Sequence, residues 1–135
     1  MIRYAIPALI LLSGCAAGND AAPTLSAREQ TELDQALAGM TPGEPVHCIN
    51  RNQVRELRKF RNTLLYVVSD NRVYRNNTTS GCSGLSNDDI VVSRSSDGSS
   101  YCRGDLIHTV AQSGGMMTGA CALGDFIPYT RAPAQ

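Results

Sequence analysis

Short apolar runs alternate with polar turns from residue 46 to residue 129. The strongest run covers residues 63–69 and is rich in β-branched and aromatic side chains, which is typical of a β strand. Weaker runs of the same kind cover residues 46–49, 72–75, 90–94, 100–103, 106–110, 116–123 and 126–129. Short strands at regular spacing predict a mainly β domain over residues 45–130, folded as a small antiparallel meander or barrel-like sheet.

Two polar segments predict the turns of hairpins. An Asp-Asn pair at residues 70–71 tolerates positive φ, and a two-residue turn there would place Val68 opposite Val73. An Asp-Gly pair at residues 97–98 matches the preferred type I′ turn and would pair the strand before it with the strand after it. Pro128 predicts a sheet edge or an exit from the sheet.

One helix is predicted over residues 25–40, before the β domain. Ser26 is a good N-cap, and Glu29 three residues later completes a capping box. Gly39 is suited to end the helix. The apolar stripe consists of Leu33, Ala36 and Leu37. We expect this stripe to pack on the domain, with partner binding as the alternative.

The amino terminus has the pattern of an export signal. Arg3 precedes an apolar run at residues 5–12, which is too short for a bilayer span of about 20 residues. The run ends in Leu12-Ser13-Gly14-Cys15, which resembles the bacterial lipobox. The resemblance implies a signal peptide at residues 1–14, cleavage before Cys15 and acylation of that cysteine. An ordinary secretory signal is the alternative.

The same resemblance predicts a location. Residues 15–24 are small and polar and would form a flexible tether behind the acylated Cys15. Two or more acyl chains anchor a protein firmly. Residues 16 and 17 are alanines rather than an acidic residue, which by analogy with enterobacterial lipoproteins implies the outer membrane, facing the periplasm.

Composition explains why covalent links would help this fold. The chain has no tryptophan and two phenylalanines, so its core is small. Four cysteines are left after Cys15: Cys48, Cys82, Cys102 and Cys121. In an oxidising compartment they predict two disulfides, and we expect the pairs Cys82–Cys102 and Cys48–Cys121. A zinc site is the alternative, but no pair has C-x-x-C spacing.

The cysteines and their neighbours also carry a wider resemblance. The segments concerned are Cys48-Ile49, Tyr74-Arg75-Asn76, Cys82-Ser83-Gly84-Leu85, Cys102-Arg103-Gly104-Asp105 with Ile107, and 121–126. Together they look like a family of small exported proteobacterial proteins that have no established function. The resemblance covers residues 46–129 and implies a shared cysteine framework. It implies no catalytic residue.

No combination of residues predicts catalysis, a metal or a cofactor. His47 and His108 are isolated in strands, and a Gly-x-Ser-x-Gly elbow is absent from the chain. Asp88 and Asp89 lack the spacing of an EF-hand. We therefore expect a protein that is not an enzyme.

A basic segment is the strongest candidate for binding. Its cations are Arg51, Arg55, Arg58, Lys59, Arg61, Arg72 and Arg75. Arginine suits bidentate contacts with phosphate or carboxylate, so an anion-binding patch for anionic lipid or peptidoglycan is one prediction. The alternative is that the acidic segment at residues 20–44 docks on the basic one, or that both segments are simply solvated. Because the formal net charge is zero, nucleic acid is not an expected partner.

Three functions are compatible with these observations. The first is an envelope lipoprotein that is held in the membrane by the lipid on Cys15 and acts as a non-enzymatic binding or structural module, with an envelope protein among its expected partners. The second is an inhibitor of a cell-wall hydrolase, because residues 98–101 (Gly-Ser-Ser-Tyr) are similar to the Ser-Gly-x-x-Tyr motif of lysozyme inhibitors, with Asp97 in place of the serine. The third, a hydrolase, lacks a nucleophile and base.

Overall fold

The computed structural model describes residues 24–132. Its helix α1 spans Ala27–Ala36, and two 3-10 turns, η1 and η2, span Arg51–Gln53 and Ser83–Asn87. The strands of this region are β1 Thr41–Pro42, β2 Cys48–Asn50, β3 Glu56–Phe60, β4 Thr63–Ser69, β5 Arg72–Asn77, β6 Ile90–Arg94, β7 Ser100–Cys102, β8 Leu106–Val110, β9 Met117–Ala122 and β10 Phe126–Thr130. The predicted signal peptide and Cys15 lie outside the described residues.

The strands form three antiparallel sheets, which confirms the predicted mainly β class. A five-stranded sheet has the order β1-β10-β5-β4-β3, a two-stranded sheet pairs β2 with β7, and a three-stranded sheet has the order β6-β8-β9. The five-stranded sheet begins at Thr41, before the predicted start of the β domain, because β1 pairs with β10. All three sheets contribute to one main core, formed by Ile49, Leu64, Tyr66, Cys82, Leu85, Ile107, Cys121, Leu123 and Phe126.

Strand β4 is buried on both faces, which explains why its sequence is a nearly continuous apolar run. Leu64 and Tyr66 point into the main core. Leu65 points to the other side and joins a second cluster with Leu33 of α1 and Phe60. Alternating side chains of one strand therefore fill two cores.

The helix is capped as its sequence predicts. The Ser26 hydroxyl accepts a hydrogen bond from the Glu29 N–H at 3.2 Å, and the Glu29 carboxylate accepts one from the Ser26 N–H at 2.8 Å. Leu33 is fully buried under the five-stranded sheet. Gly39 adopts φ +73° where the chain leaves the helix. The expected packing of the stripe on the domain is confirmed.

The β4–β5 hairpin forms, but its predicted register is wrong by one residue. Val67, not Val68, lies opposite Val73, and an irregularity separates Val67 from Ser69. Neither turn residue has positive φ, so the turn is not of the primed type. A β-bulge absorbs the extra residue instead. Pro128 lies in β10, opposite Tyr74, and its carbonyl accepts from Gly43 beyond β1.

The predicted hairpin at residues 97–98 is also wrong. β6 pairs with β8, and β7 pairs with β2 instead. The Asp97 carboxylate accepts hydrogen bonds from the N–H groups of Ser99 and Ser100, at 3.0 and 2.9 Å, and closes a local loop. This loop reverses the chain without pairing β6 with β7, because hydrogen bonds from the Asp97 side chain close it in place of backbone pairing between the two strands.

All four described cysteines form disulfides, but in a different pairing from the predicted one. The bonds are Cys48–Cys102 and Cys82–Cys121. Cys48 lies directly opposite Cys102 in the β2–β7 ladder, and their Cα atoms are 4.1 Å apart. Such a short separation is typical of a non-hydrogen-bonded cross-strand pair. Cys102 is placed there because β7 pairs with β2 rather than with β6.

The two disulfides differ in exposure, which predicts an order of reduction. Cys48 is exposed, whereas Cys82 and Cys121 each retain 5% of their accessible surface. A mild reductant must reach a sulfur to attack it, so we expect Cys48–Cys102 to open at least about tenfold faster. Alkylation during a reduction time course, followed by peptide mass spectrometry, measures both rates. Equal rates would contradict the assigned environments.

Candidate interaction surface

The seven residues of the basic segment do not share one face. Arg58 and Arg75 lie on either side of Leu65, on the face of the five-stranded sheet against which α1 packs. Lys59 points to the opposite face, where its ammonium donates to the Asp89 carbonyl at 2.7 Å. Arg51 lies over the ring of Tyr101, 5.4 Å from its centroid. Arg55 and Arg72 are exposed.

Arg61 contacts the acidic helix, as the alternative interpretation of the basic segment expects. Its Nε lies 3.4 Å from a carboxylate oxygen of Glu29. Hydrogen bonds from Ser26 lower the pKa of Glu29, and the positive charge of Arg61 lowers it further. At least one cation of the predicted anion-binding patch therefore has a partner within the domain.

His47 belongs to a small charged cluster at the surface. Its Nδ1 donates to the Asp125 carboxylate at 2.9 Å, and an Nη of Arg103 lies 3.5 Å from the same carboxylate. Among residues 24–132, no serine, threonine or cysteine is hydrogen-bonded to the other ring nitrogen of His47. The cluster has a histidine and a carboxylate but no serine, threonine or cysteine nucleophile, so it does not support covalent hydrolytic catalysis.

This cluster makes the stability of the folded protein depend on pH. The hydrogen bond from His47, and then Arg103, hold the pKa of Asp125 below its usual 3.8. A lowered folded-state pKa stabilises the protein above pH 3.8, and that contribution is lost as the pH falls through the lowered value. We expect His47→Ala to raise the pKa of Asp125 in an NMR titration of its carboxyl carbon. An unchanged value would contradict the proposed cause.

The three-stranded sheet has an apolar outer side. Ile107 and Cys121 point inward to the main core, so their neighbours along β8 and β9 point outward. The outward side chains line up in three cross-strand rows: Ile90–Val110–Met117, Val92–His108–Ala120 and Arg94–Leu106–Ala122. We call these nine residues the apolar face.

Large side chains on this face are open to solvent. Ile90, Leu106 and Met117 keep 52%, 53% and 62% of their accessible surface, and Met116 beside them keeps 74%. A solvated sheet face is ordinarily polar, and contiguous exposed apolar patches mark interaction sites. The only charge among the nine residues belongs to Arg94. An apolar partner with an anionic group at one end would match this surface.

His108 lies in the middle row of the apolar face. It is half-buried between Val92 and Ala120, and its Nδ1 is covered without a hydrogen-bond partner. A covered, unpaired ring nitrogen is costly unless a further molecule supplies a partner.

The apolar residues of this face are visible in the sequence, but their exposure is not. Residues 90–92 are apolar at every position, and β8 has apolar residues at both ends of its outward row. Such strands are usually buried on both sides. Only the topology shows that one side of this sheet has no covering layer among the described residues.

Two other kinds of site are absent from residues 24–132. In the region that the structure covers, no helix is both long and apolar enough to cross a bilayer. Over the same residues, no three His, Cys, Asp or Glu side chains are grouped as metal ligands. No family model, curated protein or solved structure matches this chain. Its function must therefore be argued from its own surfaces.

Proposed function

We propose that this protein is a non-enzymatic binding module, anchored in the bacterial cell envelope by lipid on Cys15, that docks a partner protein on the apolar face. The exposed apolar face is the observation that carries the docking proposal. The lipobox resemblance of Leu12 to Cys15 supports the anchor. Two disulfides fit an oxidising compartment such as the periplasm.

The layers of the domain separate helix α1 from the apolar face. Helix α1 covers one side of the five-stranded sheet, where Leu33 contacts the cluster of Leu65. The other side of that sheet contributes Leu64 to the main core, and the three-stranded sheet closes this core with Ile107. The apolar face is thus the outermost layer on the side opposite α1.

This arrangement favours a protein over the bilayer as the occupant. The tether at residues 15–24 joins the domain two residues before the N-cap Ser26, on the α1 side. A domain tethered from that side can turn the apolar face away from the lipid surface and toward a partner protein. Arg94 would attract a carboxylate on the partner.

The size of the face indicates a modest affinity. Three strands about 4.8 Å apart and five residues long, at about 3.4 Å each, cover roughly 14 by 17 Å. A stable complex usually buries about 800 Å² on each partner. The neighbouring Met116 enlarges the patch, but the area fits a transient complex better than a permanent one.

Photo-crosslinking from native envelopes tests this proposal. A photoreactive residue at Val92, and separately at Leu106, should capture the same protein, identified by mass spectrometry. The matched control is Val46, an exposed valine outside the apolar face. We expect Ile90→Asp to abolish both adducts while the circular dichroism of the domain is unchanged.

Other results would contradict the proposal. Adducts with lipid alone would assign the face to the membrane, and adducts with a second copy would assign it to self-association. Equal capture from Val46 would show that the contact is nonspecific. Retention of the Cys15→Ser variant in the envelope, with an unmodified amino terminus in the parent protein, would contradict the anchor.

No observation favours the two other functions. The Tyr101 ring, which ends the motif similar to lysozyme inhibitors, packs against Tyr66 with ring centroids 5.2 Å apart. It is thus partly turned toward the core instead of being free to enter an enzyme cleft. The hydrolase alternative lacks a nucleophile beside His47, as described above.

A further inference from the structure

The three-stranded sheet has one edge that the fold covers and one that it leaves open. At the β9 edge, the Thr79 N–H donates to the Ala122 carbonyl at 3.0 Å, and the Ala120 N–H donates to the Gly81 carbonyl at 3.1 Å. At the other edge, β6 pairs with β8 only, among the residues that the structure describes. We call the side of β6 that points away from β8 the free edge.

The backbone groups of the free edge belong to Val91 and Ser93. The Leu123 N–H donates to the Asp105 carbonyl at 3.0 Å, which continues the ladder between β8 and β9. Bonded pairs alternate along an antiparallel ladder, so the even-numbered residues of β8 direct their backbone groups toward β6. The even-numbered residues of β6 lie opposite them, and Val91 and Ser93 therefore direct their N–H and C=O groups away from β8. No hydrogen bond within the described region reaches these groups.

Strand β6 lacks the features that usually protect an edge strand from pairing. Its register with β8 runs without a bulge over all five residues, and it contains neither proline nor lysine. Its one charge, on Arg94, lies at the end of the strand. By contrast, the edge strand β3 of the five-stranded sheet is charged at three of its five positions, Glu56, Arg58 and Lys59. The sequence therefore protects β3 against strand addition but not β6.

A strand added at the free edge would continue the apolar face. Because side chains alternate along a strand, every second residue of the added strand would lie beside Ile90, Val92 or Arg94. Apolar side chains would extend the rows of Ile90 and Val92, and a carboxylate would pair with Arg94. The fourth strand would widen the face by about 4.8 Å.

We propose that the partner of the apolar face docks by adding an extended segment to the free edge of β6. The segment has apolar residues at alternate positions and a carboxylate opposite Arg94. Main-chain hydrogen bonds to Val91 and Ser93 supply affinity, and the side chains of the apolar face supply specificity. This inference rests on the proposed docking function and specifies how the partner is recognised.

Ser93→Pro tests the free edge separately from the apolar face. Proline removes the N–H that points to the free edge, and this N–H is not part of the ladder with β8. With a photoreactive residue at Leu106 in native envelopes, we expect Ser93→Pro to lower the yield of the partner adduct about tenfold. The matched control Ser93→Ala keeps the N–H and should leave the yield within about twofold of the parent. Circular dichroism and urea unfolding check that the proline variant is folded.

Hydrogen exchange provides a second measurement that needs no proline. In the purified protein, the amides of Val91 and Ser93 should exchange at least about tenfold faster than those of Val92 and Arg94, which face β8. In the complex crosslinked through Leu106, exchange at Val91 and Ser93 should slow at least about tenfold, because the added strand bonds to these groups. Mass spectrometry with residue resolution measures both states.

Four outcomes would overturn this inference. Equal adduct yields for the parent and Ser93→Pro would exclude edge pairing and leave docking on the apolar face intact. An equal loss with Ser93→Ala would assign the effect to the side chain. Slow exchange of Val91 and Ser93 in the purified protein would show that the edge is already covered. The absence of any Leu106 adduct in the parent would remove the docking proposal, and this inference with it.

Discussion

Replacing Cys82 and Cys121 together with alanine is expected to destabilise the domain by about 5 kcal/mol. The bond closes a loop with a sequence separation of 39, and the loss of that constraint costs about 4 kcal/mol in the chain-entropy model. Both sulfurs also pack in the main core, so their removal leaves a cavity that adds roughly 1 kcal/mol. Small domains have total stabilities of about 5–15 kcal/mol, and much of the protein would unfold.

The Cys48–Cys102 disulfide provides the matched control for this experiment. Cys48 and Cys102 are separated by 54 residues, so the entropic cost of their removal is nearly the same. Cys48 is exposed and leaves no buried cavity. Urea unfolding of both double variants measures the difference. A smaller loss for the Cys82–Cys121 pair than for the exposed pair would contradict the assigned burial.

Asn76→Ala is expected to lower the free energy of unfolding by about 3 kcal/mol. Asn76 is fully buried, and its side-chain amide donates to the Gly124 carbonyl at 2.8 Å and accepts from the Gly124 N–H at 3.0 Å. Alanine leaves both backbone groups without partners, at about 1–3 kcal/mol for each buried group. The loop that carries Asp125 would loosen as a result.

The matched control is the same replacement at an exposed asparagine, which separates the loss of the buried hydrogen bonds from the general effect of replacing asparagine with alanine. The Asn52 side chain is exposed on η1, so Asn52→Ala should change stability by no more than about 0.5 kcal/mol. Urea midpoints for both variants, with hydrogen exchange at Gly124, make the comparison. Equal stabilities for the two variants would contradict the role assigned to the buried amide.

Features that depend on neighbouring residues could be predicted from the sequence. The capping box needs only Ser26 and Glu29, three positions apart on one chain segment. The apolar run in β4 predicts a strand for the same reason, because every residue in it is apolar or β-branched except the terminal serine. The capping box depends on local hydrogen bonds and the strand on local propensity, which is why both predictions are confirmed.

Features that depend on distant partners could not be predicted in the same way. The Asp97–Gly98 pair indicates a reversal of the chain, but strand β7 finds its partner β2 some fifty residues earlier, in a ladder that places Cys48 opposite Cys102. Four cysteines allow three pairings, and spacing does not choose among them. The bulge after Val67 likewise depends on tertiary packing that the turn residues do not encode.

The candidate surface depends on which side of a strand is covered. In β6, the successive residues at positions 90–92 are all apolar, so the sequence alone does not show which face of the strand points outward. The core position of Ile107 defines it, because the residues that alternate with it must face away. The basic segment does not form such a shared surface, because neighbouring residues such as Arg58 and Lys59 point to opposite faces of β3.

Methionine oxidation in native envelopes tests the docking claim most directly. Met117 is exposed on the apolar face, whereas the half-buried Met40 packs beside α1 and serves as the internal reference. If a partner covers the face, Met117 should oxidise at least about tenfold more slowly in envelopes than in the purified protein, relative to Met40. An unchanged ratio would show that the apolar face is uncovered and would contradict the account.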